Sequence, residues 1–223
     1  MRNRGSIWTG AARRAALFLL GCALLLAGGC RDDLGEDADQ RARTLYLASS
    51  RLRGFDPVKV SDLPSAFAIG RVYEGLLQHA YLERPYRVEP LLAEGLPEVS
   101  PDRLVYTFRL RPGIHFADDP CFTASGGRGR EVTAADFVYS LKRLADKSAA
   151  SVGYWILNGR IKGLDEFRET TGPAQATDYD AEVAGLQALD RYTVRLELTA
   201  PYAQLLWVLC MHHCVLVPRE AVE

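Results

Sequence analysis

The sequence has no excess of charge of either sign: 27 Lys and Arg stand against 28 Asp and Glu, a formal net charge of −1. That balance argues against a nucleic-acid binder, whose phosphate contacts call for a clear basic surplus. The uncharged, Leu-rich run from Ala15 to Cys30 falls short of the roughly 18 residues of a membrane-spanning helix. Neither G-x-S-x-G nor H-E-x-x-H occurs, so no hydrolase signature points to an enzyme. The Gly-rich stretch Ser125–Arg130 lacks the Lys-Ser/Thr ending of a phosphate-binding loop and reads as a solvated loop. No solenoid-type repeat is present. What remains is ordinary for a packed protein: 48% hydrophobic, 25% charged and 9% aromatic residues.

The charge balance averages two unlike pieces. Four of the 27 basic residues (Arg2, Arg4, Arg13, Arg14) lie in residues 1–29, which hold no acid; without them 23 basic face 28 acidic residues. A basic start, a short apolar core and small residues before a cut describe an export signal over 1–29. Its end, Ala27-Gly28-Gly29-Cys30, resembles the bacterial lipobox, in which the cysteine is lipidated and becomes the new N-terminus. The resemblance implies a membrane partner through lipid on Cys30. The polar stretch 30–43 holds one large apolar residue, Leu34, and reads as a flexible tether. Residues 44–223 form the folded part.

That part patterns as mixed α and β. A short strand is expected at Thr44–Ala48, then a turn at Arg53–Pro57. A helix capped by Asp62 follows, with Pro64 in its first turn and Ile69, Val72, Tyr73, Leu76 and Leu77 on its apolar face. Leu104, Tyr106, Phe108 and Leu110 alternate as a half-buried strand, with a second short strand at Ile114–Phe116. Thr133 and Asp136 form a capping box for a helix through about Asp146. A helix is expected over Asp180–Leu189. Tyr192, Val194, Leu196 and Leu198 make another strand, and Pro201 opens a Leu-rich helix.

Cys210-Met211-His212-His213-Cys214 has metal-ligand residue types, but its spacing matches no common zinc site and its neighbours are apolar. It reads as core packing, with no metal and no cofactor expected. With Cys22 removed and Cys30 lipidated, Cys121, Cys210 and Cys214 remain, and three cannot all pair; which two would bridge stays open.

Several segments in order carry a family likeness. They are Phe55-Asp56-Pro57, Val72–Leu77, Pro90–Glu94, Tyr106–Phe116, Val132–Ser140, and Leu189-Asp190 leading into Thr193-Val194. Across about residues 44–219 the chain resembles the family 5 extracellular solute-binding proteins, the oligopeptide- and dipeptide-binding components of ABC importers. Two features depart from the family pattern: the insertion around Asp118–Arg130 and the Cys-His-His-Cys group. Family members are also more than twice as long, so the chain is expected to hold only the N-terminal part of the fold.

The resemblance implies an α/β architecture, the N-terminal part of a two-lobed periplasmic-binding-protein fold with a mixed sheet and flanking helices. It implies a binding protein outside the cytoplasm that closes around a peptide and docks on a membrane permease. It also implies ligand contacts at Ser61, Asp62 and Leu63, in the turn after Asp56-Pro57, and at Tyr154 and Trp155 before Gly159. Within the same family the solute could instead be a sugar, nickel or haem. The rival class is an envelope lipoprotein with a scaffold or sensor role and no ligand cleft.

Overall fold

The structure, a computed structural model, describes Arg43 and residues 50–223. The expected export signal over 1–29, the lipid site at Cys30, the tether up to Ala42 and the strand expected at Thr44–Ala48 lie outside the described residues.

Helix α1 spans Leu63–Val72. Its N-cap is Asp62, whose Oδ1 accepts from the Ser65 amide at 3.0 Å, and Pro64 sits in its first turn. Both choices suit a helix start: the carboxylate pairs an amide with no helical partner, and proline has no amide to leave unpaired. The helix stops sooner than its apolar spacing predicts. Tyr73 is extended, and Leu76 and Leu77 are buried from a bridge and from strand β1 (Leu77–His79) instead. The reason is tertiary: Gly75 pairs with Val215, and the Leu76 carbonyl accepts from Leu91 and Ala93. Strand β2 (Val88–Pro90) completes an antiparallel pair with β1.

A four-stranded sheet follows, in the order β3–β4–β6–β5. Its members are β3 (Glu98–Val99), β4 (Val105–Arg109), β5 (Leu186–Ala188) and β6 (Thr193–Glu197). The sheet expected to be mixed is antiparallel at every pairing among the described residues. Tyr106 faces Leu196 and Phe108 faces Val194 across the β4–β6 ladder, and all four are buried. The period-2 alternation of both runs is what places them on one face.

Helix α2 (Ala134–Ala145) covers that face, packing on β5 and β6 and on the short helix α3 (Leu164–Glu169). Phe137, Leu141, Leu144 and Ala145 are fully buried. Its capping box is present: the Thr133 amide and hydroxyl both donate to Asp136 Oδ2, at 2.8 and 3.0 Å.

Three other expectations are corrected. The helix expected over Asp180–Leu189 is an irregular turn leading into β5. Gly185 decides this: a Cβ there would lie 2.4 Å from the Glu197 carbonyl oxygen, so only glycine lets the two backbones approach. The strand expected at Ile114–Phe116 is a single bridge between His115 and Glu131. The helix expected from Pro201 is one turn, α4 (Leu205–Val208), well after the proline.

Candidate ligand-binding wall

The expected ligand turn is anchored from below. Asp56 accepts a two-pronged contact from the Arg143 guanidinium, Nη1 to Oδ1 at 2.9 Å and Nη2 to Oδ2 at 2.6 Å. Burial works to raise the Asp56 carboxyl pKa, but Arg143 outweighs it and holds the group below its ordinary value. Asp56 Oδ1 also accepts from the Val58 amide, and the Asp56 carbonyl accepts from Lys59. Pro57, Val58 and Val60 are buried, Val60 against Ile69 and Val215. This leaves Ser61 and Leu63 pointing out, Leu63 at 67% exposure, with Phe67 one turn further along α1 at 64%. Asp62 is committed to its cap through Oδ1, while its Oδ2 is buried without a partner.

The second expected contact segment lies alongside the turn. The Val152 amide donates to the Val58 carbonyl at 2.9 Å, joining the two loops. A single 3-10 turn, Tyr154–Ile156, turns Tyr154 and Ile156 inward and Trp155 outward. Trp155 is 71% exposed. Tyr154 is 6% exposed; its hydroxyl donates to Asp165 and the Arg168 guanidinium sits 4.3 Å from its ring centroid. Burial first, and then Asp165, raise its phenol pKa. Asp165 and Arg168 are thus the partners of the Tyr154 hydroxyl and ring in this structure.

The Cys-His-His-Cys segment packs beneath both loops. His213 donates from Nδ1 to the Pro57 carbonyl at 2.7 Å, and His212 Nε2 reaches the Val60 carbonyl at 3.2 Å. A carbonyl oxygen only accepts, so both rings act as donors. Gly153 lies flat on His213, where a Cβ would come within 2.6 Å of the ring. The Cys210 thiol donates to the Leu206 carbonyl at 3.2 Å. Burial pushes the Cys210 thiol up to about 11 and the Cys214 thiol up to about 12, so both stay protonated. Cys121, Cys210 and Cys214 are free, and no group of His, Cys, Asp and Glu with metal-holding geometry occurs among the described residues. Sequence pattern placed these two cysteines correctly as packing groups but missed the histidines, whose backbone partners lie more than 150 positions away.

Asp118, Asp119 and Arg130, in the insertion around 118–130, are held by protein partners. Asp118 accepts from the Gly129 amide and Asp119 from the Cys121 amide. Arg130 spans Asp136 and Glu220.

A sequence profile for the bacterial extracellular solute-binding proteins, family 5 Middle, matches residues 87–221. The chain belongs to solute-binding protein family 5. Among its relatives, the oligopeptide-binding protein AmiA of Streptococcus pneumoniae is 35% identical over 187 residues, covering 84% of this chain and 26% of AmiA. The periplasmic oligopeptide-binding protein OppA of Salmonella typhimurium is 31% identical over 175 residues, covering 78% of this chain and 28% of OppA. This family 5 chain therefore spans between a fifth and little more than a quarter of the length of the curated relatives it matches. Solved family structures share its fold. Listeria monocytogenes OppA bound to peptide superposes with a TM-score of 0.60 at 23% identity, covering 78% of this chain and 30% of that one. DppA from Helicobacter pylori in complex with the peptide STSA gives 0.54 at 28% identity, covering 75% and 29%. The partial α/β domain expected from the resemblance is thus the fold observed.

Proposed function

We propose that this chain supplies one wall of a peptide site in the substrate-binding component of an ABC importer. In this reading it is held outside the cytoplasm by lipid on Cys30, hands its ligand to a membrane permease, and carries out no catalysis. The observation that carries the reading is the pairing of two loops, Asp56–Asp62 and Val152–Trp155, through the Val152–Val58 hydrogen bond. In this reading Ser61, Asp62, Leu63 and Trp155 face the ligand, with Tyr154 buried next to Trp155 in the chain. The names of the relatives, which bind oligopeptides, support the same ligand class.

A peptide suits such a wall. Main-chain groups of an extended ligand pair with loop backbone regardless of sequence, while exposed Leu63, Phe67 and Trp155 offer apolar area to varied side chains. One wall makes few contacts, each hydrogen bond netting about 0.5–1.5 kcal/mol, so the chain alone is expected to bind in the millimolar range, near about −4 kcal/mol.

Thermal unfolding tests this. At ten times its Kd a ligand that binds only the native state adds about 1.4 kcal/mol, which raises Tm by roughly 3–6 °C for a domain of this size. A pool of tri- to pentapeptides is expected to give that shift, and sugars, nickel and haem none. A shift with one of those and none with peptide would replace the ligand class.

A further inference from the structure

We propose that His212 and His213 are positioning residues for this ligand wall, a role that rests on the reading of the wall given above. Tilted against each other, the two rings hold the carbonyls of Pro57 and Val60. They thereby fix Ser61–Leu63 in register with the turn that presents Trp155.

The geometry is specific. The ring centroids of His212 and His213 are 3.9 Å apart. Each ring donates to a different carbonyl of one short turn, three residues apart. Gly153, immediately before Tyr154 and Trp155, lies close against the His213 ring. The pair is itself held from behind. The Cys214 amide donates to the Met211 carbonyl, the Leu216 amide to the Glu74 carbonyl, and the Val217 amide to Ser140 Oγ on α2. One dipeptide therefore links both loops of the wall to the core helix. An apolar pair would fill the same space but would leave two buried carbonyls without donors.

The linkage is sensitive to protons. His213 donates while neutral, and a proton on its buried ring would set a positive charge beside the neighbouring imidazole. Burial lowers the His213 pKa by more than the Pro57 carbonyl raises it, and His212 lowers it further. Few other charges bear on the pair. On the adjoining turn Asp56 pairs with Lys59 and with Arg143 of α2; that helix, which packs on the pair, also carries Asp136 (bound to Arg130), Tyr139 and Lys142 (bound to the Tyr179 and Ala181 carbonyls), and Asp62 caps α1. Helix α1 brings Arg71, at its far end, and the half-buried Tyr73 follows it. Cys210 and Cys214 stay protonated, and neither Ser151–Gly153 nor α4 carries a charged group. A histidine whose folded pKa is depressed favours the fold above its unfolded value of about 6.5 and loses that contribution as pH falls through the folded value. The clamp should therefore loosen below about pH 6.5.

Hydrogen exchange of the Val152 amide, which closes the two loops together, reads the clamp in the full chain. In the native sequence its protection factor is expected to fall about tenfold between about pH 7 and pH 5, because a protonated His213 keeps its Nδ1 donor but carries a charge in a buried site. His213→Phe keeps a ring but has no donor; it should show the tenfold loss already at neutral pH. His213→Asn places an amide donor where Nδ1 stood and cannot titrate. It should keep protection at neutral pH and abolish the acid response. His212→Gln should likewise keep protection at neutral pH. A His213→Asn chain that retains the full acid response, or a folded His213→Phe chain with native Val152 protection, overturns the clamp. The same chains titrated with the tri- to pentapeptide pool separate it from the ligand reading. The positioning role predicts several-fold weaker binding in His213→Phe and recovery in His213→Asn. Altered exchange with unchanged peptide affinity overturns the positioning role. No peptide response in the native chain, with the exchange pattern as predicted, overturns the ligand reading and leaves the clamp standing.

Discussion

Replacing Arg143 with Ala is expected to destabilise the chain by about 3 kcal/mol, the lower end of the range for breaking a buried ion pair. Arg143 leaves only 7% of its side chain exposed, and its whole fork is spent on Asp56. Without it, the Asp56 carboxylate stays partly buried with Lys59 at 3.6 Å as its remaining cation. The compensation is incomplete, because a flexible ammonium cannot reproduce two fixed donors. For a domain of this size the loss corresponds to a fall in Tm of roughly 6–12 °C. The effect should also depend on pH. Asp56 has a folded pKa below its unfolded value, so its contribution is present above about pH 4 and disappears as pH falls through the folded value. The gap between the native and Arg143→Ala chains should therefore narrow in acid. Scanning calorimetry at neutral pH and near about pH 3 checks both points. Equal Tm values at neutral pH would show that the Asp56 turn does not depend on its arginine.

Cys30→Ser is expected to move the protein from membrane-bound to fully released. The thiol is the acceptor for the lipid in a lipobox-type site, and serine offers a far weaker nucleophile at neutral pH. The energetic consequence is large because each acyl chain contributes about 0.8 kcal/mol per buried methylene, and two chains give firm anchoring where one does not. Nothing in the polar residues 31–43 substitutes for it: they hold a single large apolar residue, Leu34. Metabolic labelling with a fatty-acid analogue, followed by membrane fractionation, reads the outcome. Labelling that persists in Cys30→Ser would show that the lipid is attached elsewhere or that the segment is cut differently.

Much of the fold was legible in the sequence because local and tertiary preferences agreed there. Asp62 with Pro64, and Thr133 with Asp136, mark helix starts through hydrogen bonds made within three residues. The alternations around Phe108 and Val194 survive because both strands bury one face. Legibility failed where a distant contact overrode a local pattern. Leu76 and Leu77 continue a helical spacing, but the Gly75–Val215 bridge and the pairing of Leu77 with Pro90 take the chain out of the helix. The run after Asp180 looks helical until Gly185 meets the Glu197 carbonyl. The ligand turn proposed at Ser61–Leu63 rests on family likeness, and no periodicity marks it. The role of His212 and His213 left no local trace, since their partners are backbone carbonyls of a turn far away in the chain. Sequence adjacency groups Tyr154 with Trp155, yet a single 3-10 turn sends one inward and the other outward.

Residue-resolved NMR during a peptide titration tests the ligand wall most directly. Millimolar tri- to pentapeptide should move the amides of Ser61, Asp62, Leu63 and Val152 together with the Trp155 indole N–H, all along one saturation curve, while the Tyr154 ring stays unperturbed. Shifts gathered instead in the polar cleft between Arg130, Lys142 and Arg219, or a Trp155 signal that does not respond, would contradict the assignment of this wall to the ligand.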